Sequence, residues 1–90
     1  MEIDSKKLEA NILKAKNGDQ SAFSFLLNLY WSDVFNFLLK RTKSENDAED
    51  IAIQTFSKAF DKIKSFDEKY IFKTWLITIS KNIHIDLLRK

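Results

Sequence analysis

The sequence holds no proline and a single glycine, Gly18, so almost nothing in it is built to interrupt a helix. Punctuation falls to three polar stretches, KNGDQ (Lys16 to Gln20), RTKSEND (Arg41 to Asp47) and KSFDEKY (Lys64 to Tyr70). Their Asn, Asp and Ser side chains hydrogen-bond nearby backbone and so favour turns and caps over helix interiors. Four segments remain between and beyond them.

The first, Ser5 to Lys16, carries Leu8, Ile12 and Ala15 at helical spacing and is short enough to fray. The second, Ser21 to Arg41, aligns Phe23, Leu26, Leu27, Tyr30, Val34, Phe37 and Leu38 on one stripe. Phe25, Leu29, Trp31, Phe35 and Leu39 lie elsewhere on it. A helix apolar nearly all round is a central one.

The third segment opens with Ser44 or Asn46 as a cap, then Glu45, Asp47, Glu49 and Asp50, which suit the positive end of a helix dipole. Its period buries Ile51, Ala52, Thr55, Phe56, Ala59, Ile63 and Phe66, and turns Asp47, Asp50, Gln54, Ser57, Lys58 and Asp61 outward.

The fourth, YIFKTWLITISKN and onward to Lys90, reads two ways. Trp75, Ile77 and Ile79 alternate with polar neighbours like a strand, while Phe72, Trp75, Leu76, Ile79, Ile83 and Leu87 recur within one helical arc. The helical match is longer, and packing an apolar stripe outweighs the few tenths of a kcal/mol that each β-branched residue costs a helix. The expectation is a helix whose outer face shows Thr74, Thr78, Lys81, Asn82, His84 and Arg89, with Ile77, Ile85 and Leu88 left over. Those three can meet another helix, further chain or a partner. The closing DLLRK carries no stop signal, which predicts a helix running to or past the end.

Ninety residues suffice for one small core and are too few for two. Hydrophobic content of 44%, with eight Phe and two Trp, supplies that core. The expected fold is all-α, a compact bundle of four helices in one domain, 1–90. No cysteine and one histidine leave no thiolate site and no zinc set. Without a positioned nucleophile, a Gly-rich phosphate loop or a cofactor motif, an enzyme is not expected, nor a cofactor. The carboxylates at Glu45 to Asp50 admit metal binding, but capping accounts for them.

MEIDSKKLEANILK has no long apolar run behind its charges, so it is neither a secretory signal nor a membrane span, and the cytoplasm is the simplest location. Charge is uneven. Lys69, Lys73, Lys81, Arg89 and Lys90 against Asp86 give 5 − 1 = +4 over residues 69–90, while the remainder carries 10 − 12 = −2. A basic last segment points to an anionic partner. Its amide, hydroxyl and basic groups are those that phosphates and base edges use, although a solvated basic face explains them equally.

In order, NGDQSAFSFLLNLY, NDAEDIAIQTFSKAF and FKTWLITISKNIHIDLLRK resemble the promoter-opening region 2 domain of bacterial sigma-70 family factors of the extracytoplasmic-function class. Gly18, Asp19, Ala22 and Phe23 match a Gly-Asp then Ala-Phe block. Ala48, Glu49 and Asp50 match an Ala-Glu-Asp helix start, followed by Thr55 and Phe56. Trp75, Leu76, Asn82, Ile85, Asp86, Leu88 and Arg89 match the closing series.

The resemblance covers about residues 10 to 90. It implies docking on the clamp helices of the RNA polymerase β′ subunit through Arg41, Asp47, Asp50, Ile53, Gln54 and Asp61. It further implies that the non-template strand of the promoter minus-ten element is held by Tyr70, Lys73, Thr74, Thr78, Lys81, Asn82 and Arg89, with the loop FDEKYI walling a base pocket. An anti-sigma protein is an implied partner, and the region 4 domain that reads the minus-35 element is not in this sequence. Two departures stand out. Ile53 and Gln54 replace the family's usual Gln and acidic residue, and the pocket loop carries Asp67 and Glu68. They motivate a rival reading, a helical protein-interaction module that keeps the fold but has lost DNA reading.

Overall fold

The structure, a computed structural model, describes residues 4–89. Lys90, expected at the end of the fourth helix, and residues 1–3 of the expected domain lie outside the described residues. Four α-helices follow one another: α1 (Ser5–Lys16), α2 (Gln20–Thr42), α3 (Glu45–Lys62) and α4 (Phe72–Leu88), with a 3₁₀ turn at Ile63–Ser65 after α3. No strand occurs among the described residues. The helical period therefore wins in the fourth segment, and the all-α bundle stands.

The first three helices start on side-chain caps. The Asp4 carboxylate accepts from the Lys6 amide at 3.0 Å, Asp19 from Ala22 at 3.1 Å and Ser44 from Asp47 at 3.2 Å. Each satisfies an amide that the helix itself cannot. Ser44, not Asn46, is the cap of α3. The turn from α1 into α2 needs its glycine. Gly18 sits at φ 91°, and its amide and that of Asp19 donate to the carbonyls of Ala15 and Lys14, both at 3.0 Å. This pair of bonds closes the helix end only if the chain turns left-handed there. Lys43 makes the same turn after α2, at φ 57°, where a side chain costs about 1 kcal/mol or more.

α2 is the central element, packed against α1, α3 and α4. It is long and apolar enough to cross a membrane by length and composition, but here its apolar faces meet the other three helices. Leu26, Val34 and Leu38 are fully buried on it, beneath Ile12 and Ala15 of α1, Ala48, Ala52 and Ala59 of α3, and Leu76 of α4. The two buried hydroxyls bond within their own helices, Thr55 to the Ile51 carbonyl and Ser80 to that of Ile77, both at 2.7 Å. Neither is left as an unpaired polar group.

Aromatic rings fill one end of the bundle. Phe66 meets Phe72 edge-on at 5.2 Å and Trp75 at 5.1 Å, and Tyr30 lies 5.6 Å from Phe72. Burial, with Asp33 nearby, raises the Tyr30 hydroxyl above the usual tyrosine value.

Two expectations need correction. Leu87, assigned to the buried arc, is 41% exposed, because the last turn of α4 faces the polar stripe of α3 instead of an apolar helix. His84, placed on the outer face, is half-buried and turned toward the end of α2, where Arg41 Nε donates to its Nδ1 at 3.2 Å.

Candidate nucleic-acid and protein interfaces

α3 and α4 lie side by side, and each turns a different chemistry outward. On α3, Asp47, Asp50, Gln54, Ser57, Lys58 and Asp61 are all exposed, spaced three, four and seven apart on a single stripe. Ile53 stands beside them, 54% exposed. Between this stripe and the last turns of α4 run two adjoining depressions. One is lined by Asp47, Asp50 and Gln54 with Thr42, His84 and Leu88. The other is lined by Ile53, Gln54 and Asp61 with Ile83 and Asp86. Gln54 and Leu87 belong to both.

The sequence-predicted protein-binding residues are thus brought to one groove, except Arg41. It stands at the margin, bonded to His84 and stacked over the Phe37 ring at 5.6 Å. Leu87, expected in the core, and Leu88 add exposed apolar surface to the lining of the groove. Leu88 had been left over from the core pattern, and that surplus was the available signal.

On α4 the outer face carries Thr74, Thr78, Lys81, Asn82 and Arg89, all exposed. At 1.5 Å per residue Thr74 to Arg89 spans about 22 Å, long enough to follow several nucleotides of a strand. At its upper end the loop after the 3₁₀ turn folds over to make a pocket of about 430 Å³, lined by Lys69, Tyr70, Ile71, Thr74, Trp75 and Thr78. Tyr70 is 69% exposed, a ring open on one side for stacking. Trp75, expected in the core, is half-buried against Phe66 and Phe72 and turns part of its ring to the pocket.

Thr78 spends its hydroxyl hydrogen on the Thr74 carbonyl at 2.9 Å, leaving its oxygen as an acceptor. Lys73 is held 3.7 Å from Asp33 in a pair exposed on both sides, an arrangement weak enough to yield to a phosphate. Among the described residues no side chain caps α4. Its start is left with the positive end of the helix dipole unanswered by a side chain, and Lys73 in its first turn adds positive charge.

The loop itself is held at several points. Phe66 is buried. The Asp67 carboxylate accepts from the Lys69 amide at 2.9 Å, and its carbonyl from the Tyr70 amide at 3.0 Å. Glu68 pairs with Lys16 at 3.4 Å.

Residues 26–90 match the Sigma-70 region 2 family. The chain belongs to that family. Its relatives place it in the extracytoplasmic-function class. It is 37% identical over 90 residues to the ECF RNA polymerase sigma factor SigW of Bacillus subtilis, covering 100% of this chain and 46% of the relative. To SigM of the same organism it is 38% identical over 65 residues, covering 72% and 39%. The region 2 chain thus spans less than half the length of these curated relatives. Its fold matches the NMR structure of an engineered region 2 of sigmaE in complex with GTAAAA, with a TM-score of 0.82, 30% identity, and coverage of 90% of this chain and 84% of the other. The family is one of transcription initiation factors without enzymatic activity.

Proposed function

We propose that this region 2 domain docks on the β′ clamp helices of RNA polymerase through the α3 groove and holds the non-template strand of an opened minus-ten element along α4, in the cytoplasm. The observation that carries the reading is the division of labour across two adjacent helices. One side offers acidic groups beside exposed apolar surface, suited to a basic protein surface. The other offers hydroxyls, an amide, cations and a stacking pocket, suited to an unpaired strand.

Promoter opening then needs no covalent chemistry. Taking a base out of the duplex stack costs a few kcal/mol, and a pocket that stacks it returns about 1 to 3 kcal/mol. Binding of the open strand drives the step. Asn82, carrying both donor and acceptor, reads a base edge, and Lys73, Lys81 and Arg89 position phosphates. An anti-sigma protein that covers either face would silence the domain.

The rival module without DNA reading loses one of its motives. Glu68 is turned to Lys16 and Asp67 closes its own turn, so neither carboxylate lines the base pocket. Ile53 remains, yet it lies in the groove of the α3 face, where an apolar group serves docking.

Titration calorimetry of the domain against a purified fragment carrying the β′ clamp helices, with Asp50→Arg alongside, tests the docking half. Binding that falls at least tenfold in the variant supports it. A folded parent domain that does not bind sinks it and returns weight to the interaction module.

A further inference from the structure

The loop at 66–71 is a wall with open space on both sides. Toward α4, Tyr70 and Ile71 line the base pocket. Toward α1, the same two residues line a groove of about 640 Å³ with Leu13 and Glu9 across from them. A wall without close packing on either face takes its position from its anchors. Its ends are the buried Phe66 and Phe72, and among the described residues its middle is joined to another helix by an ion pair.

That link is Lys16. Its ammonium lies 3.4 Å from Glu68 and 5.8 Å from the centre of the Phe66 ring. The Lys16 side chain is only 19% exposed, against 56% for Glu68, so the cation is held and the carboxylate comes to it. The backbone that carries it is fixed, because the α1 end is closed by the Gly18 and Asp19 amide bonds described above. Phe66, beneath the same ammonium, is the ring that packs on Trp75 at the pocket's back.

We propose that Lys16 is a positioning residue for the DNA pocket: through Glu68 and the Phe66 ring it sets where the Tyr70–Ile71 wall stands against Trp75, and thereby how strictly the pocket discriminates between bases. The proposal rests on the DNA reading above. It gives α1 a part in DNA selection, although α1 lies outside residues 26–90 that match the family.

Two measurements on the full chain test it. Lys16→Met keeps the apolar stem and removes the ammonium, and Glu68→Gln removes the acceptor's charge. A pair of this exposure is worth a factor of up to about five in an equilibrium. Amide hydrogen exchange at Lys69 and Tyr70 should therefore quicken by about two- to fivefold in either variant, with no further gain in the double variant. Those amides of α3 that exchange through local opening away from the loop should be unchanged. Unaltered exchange in the loop overturns the tether.

The second measurement is fluorescence anisotropy with the single-stranded hexanucleotide GTAAAA and every single-base variant of it. The spread of affinities across the set should narrow by a similar factor in Lys16→Met, measured at a temperature where circular dichroism shows both chains folded. A spread equal to that of the parent chain overturns the proposal. No spread in the parent chain overturns the DNA reading, and the proposal with it, whatever the exchange result shows about the loop.

Discussion

α3 and α4 begin in opposite ways. α3 has Ser44 bonded to the Asp47 amide, with Glu45 and Asp47 in its first turn, so its orphan amides and its dipole are answered from within the chain. α4 begins at Ile71, with no capping side chain and no acid in its first turn, so the same groups are left for whatever arrives. A helix start completed internally serves the fold and frees its outer stripe for a protein partner. One left incomplete is disposed toward an anion. The contrast extends to what lies behind each helix. Small residues, Ala48, Ala52 and Ala59, let α3 approach the bundle closely, whereas rings, Phe66, Phe72 and Trp75, support the start of α4.

The most severe way to break this contrast is Phe66→Ala, which removes the ring joining the loop to Phe72 and Trp75. A buried Phe cut to Ala costs about 3 to 5 kcal/mol, and urea unfolding followed by circular dichroism should show a loss of that size. An effect under about 1 kcal/mol would mean that the rings do not anchor the loop. Tyr70→Ala should leave stability almost unchanged, because the side chain is exposed. It should weaken single-stranded DNA binding by about 1 to 3 kcal/mol, the worth of a stacked base. Calorimetry against the β′ clamp-helix fragment should not change, which separates the two faces.

Ile71→Asp reverses the contrast. The position has the extended backbone of a capping residue, φ −79° and ψ 124°. A carboxylate there should stabilise the fold by about 1 kcal/mol while lowering DNA affinity, since it takes the free amides and brings negative charge to the pocket. A variant that gains stability and keeps its affinity would show that phosphate does not use the α4 start.

The smallest effect concerns pH. The Tyr30 hydroxyl titrates above the ordinary 10.0, first because of burial and second because of Asp33. The folded state therefore holds this proton more tightly than the unfolded chain does. The contribution is complete below the unfolded value of about 10 and is lost as pH rises through the folded value. Tyr30→Phe should flatten the alkaline decline of Tm above pH 10 relative to the parent chain. An identical decline would remove Tyr30 from the linkage.

Much of this was legible in the residues. With no proline, helix limits depended on caps and turn residues, and α1 falls at Ser5–Lys16 as its pattern required. The buried side of α3 was readable because its moment is clean, with each predicted core residue from Ile51 to Phe66 enclosed. The outer face of α4 was readable for the same reason. What escaped lay where period stops being informative. At the last turn of α4 an apolar position no longer implies a covering neighbour, so Leu87 read as core and opens instead on the groove beside the polar stripe of α3. His84 was misplaced because its partner, Arg41, is 43 residues away in sequence. The Lys16–Glu68 pair escaped likewise, since no periodicity links the end of one helix to a loop beyond two others.

The breadth of apolar surface on α2 has a consequence for the newborn chain. Its buried side, Ala22, Phe23, Leu26, Val34 and Leu38, is covered by helices that come before and after it, so during synthesis the segment emerges with the hydropathy of a membrane span before α3 and α4 are made. In that interval its apolar side has only α1 to cover it. The two-residue link at Lys43 and Ser44 shortens the wait, bringing α3 back along α2 as soon as it is made. The left-handed Lys43 in that link is what lets so short a connection reverse the chain.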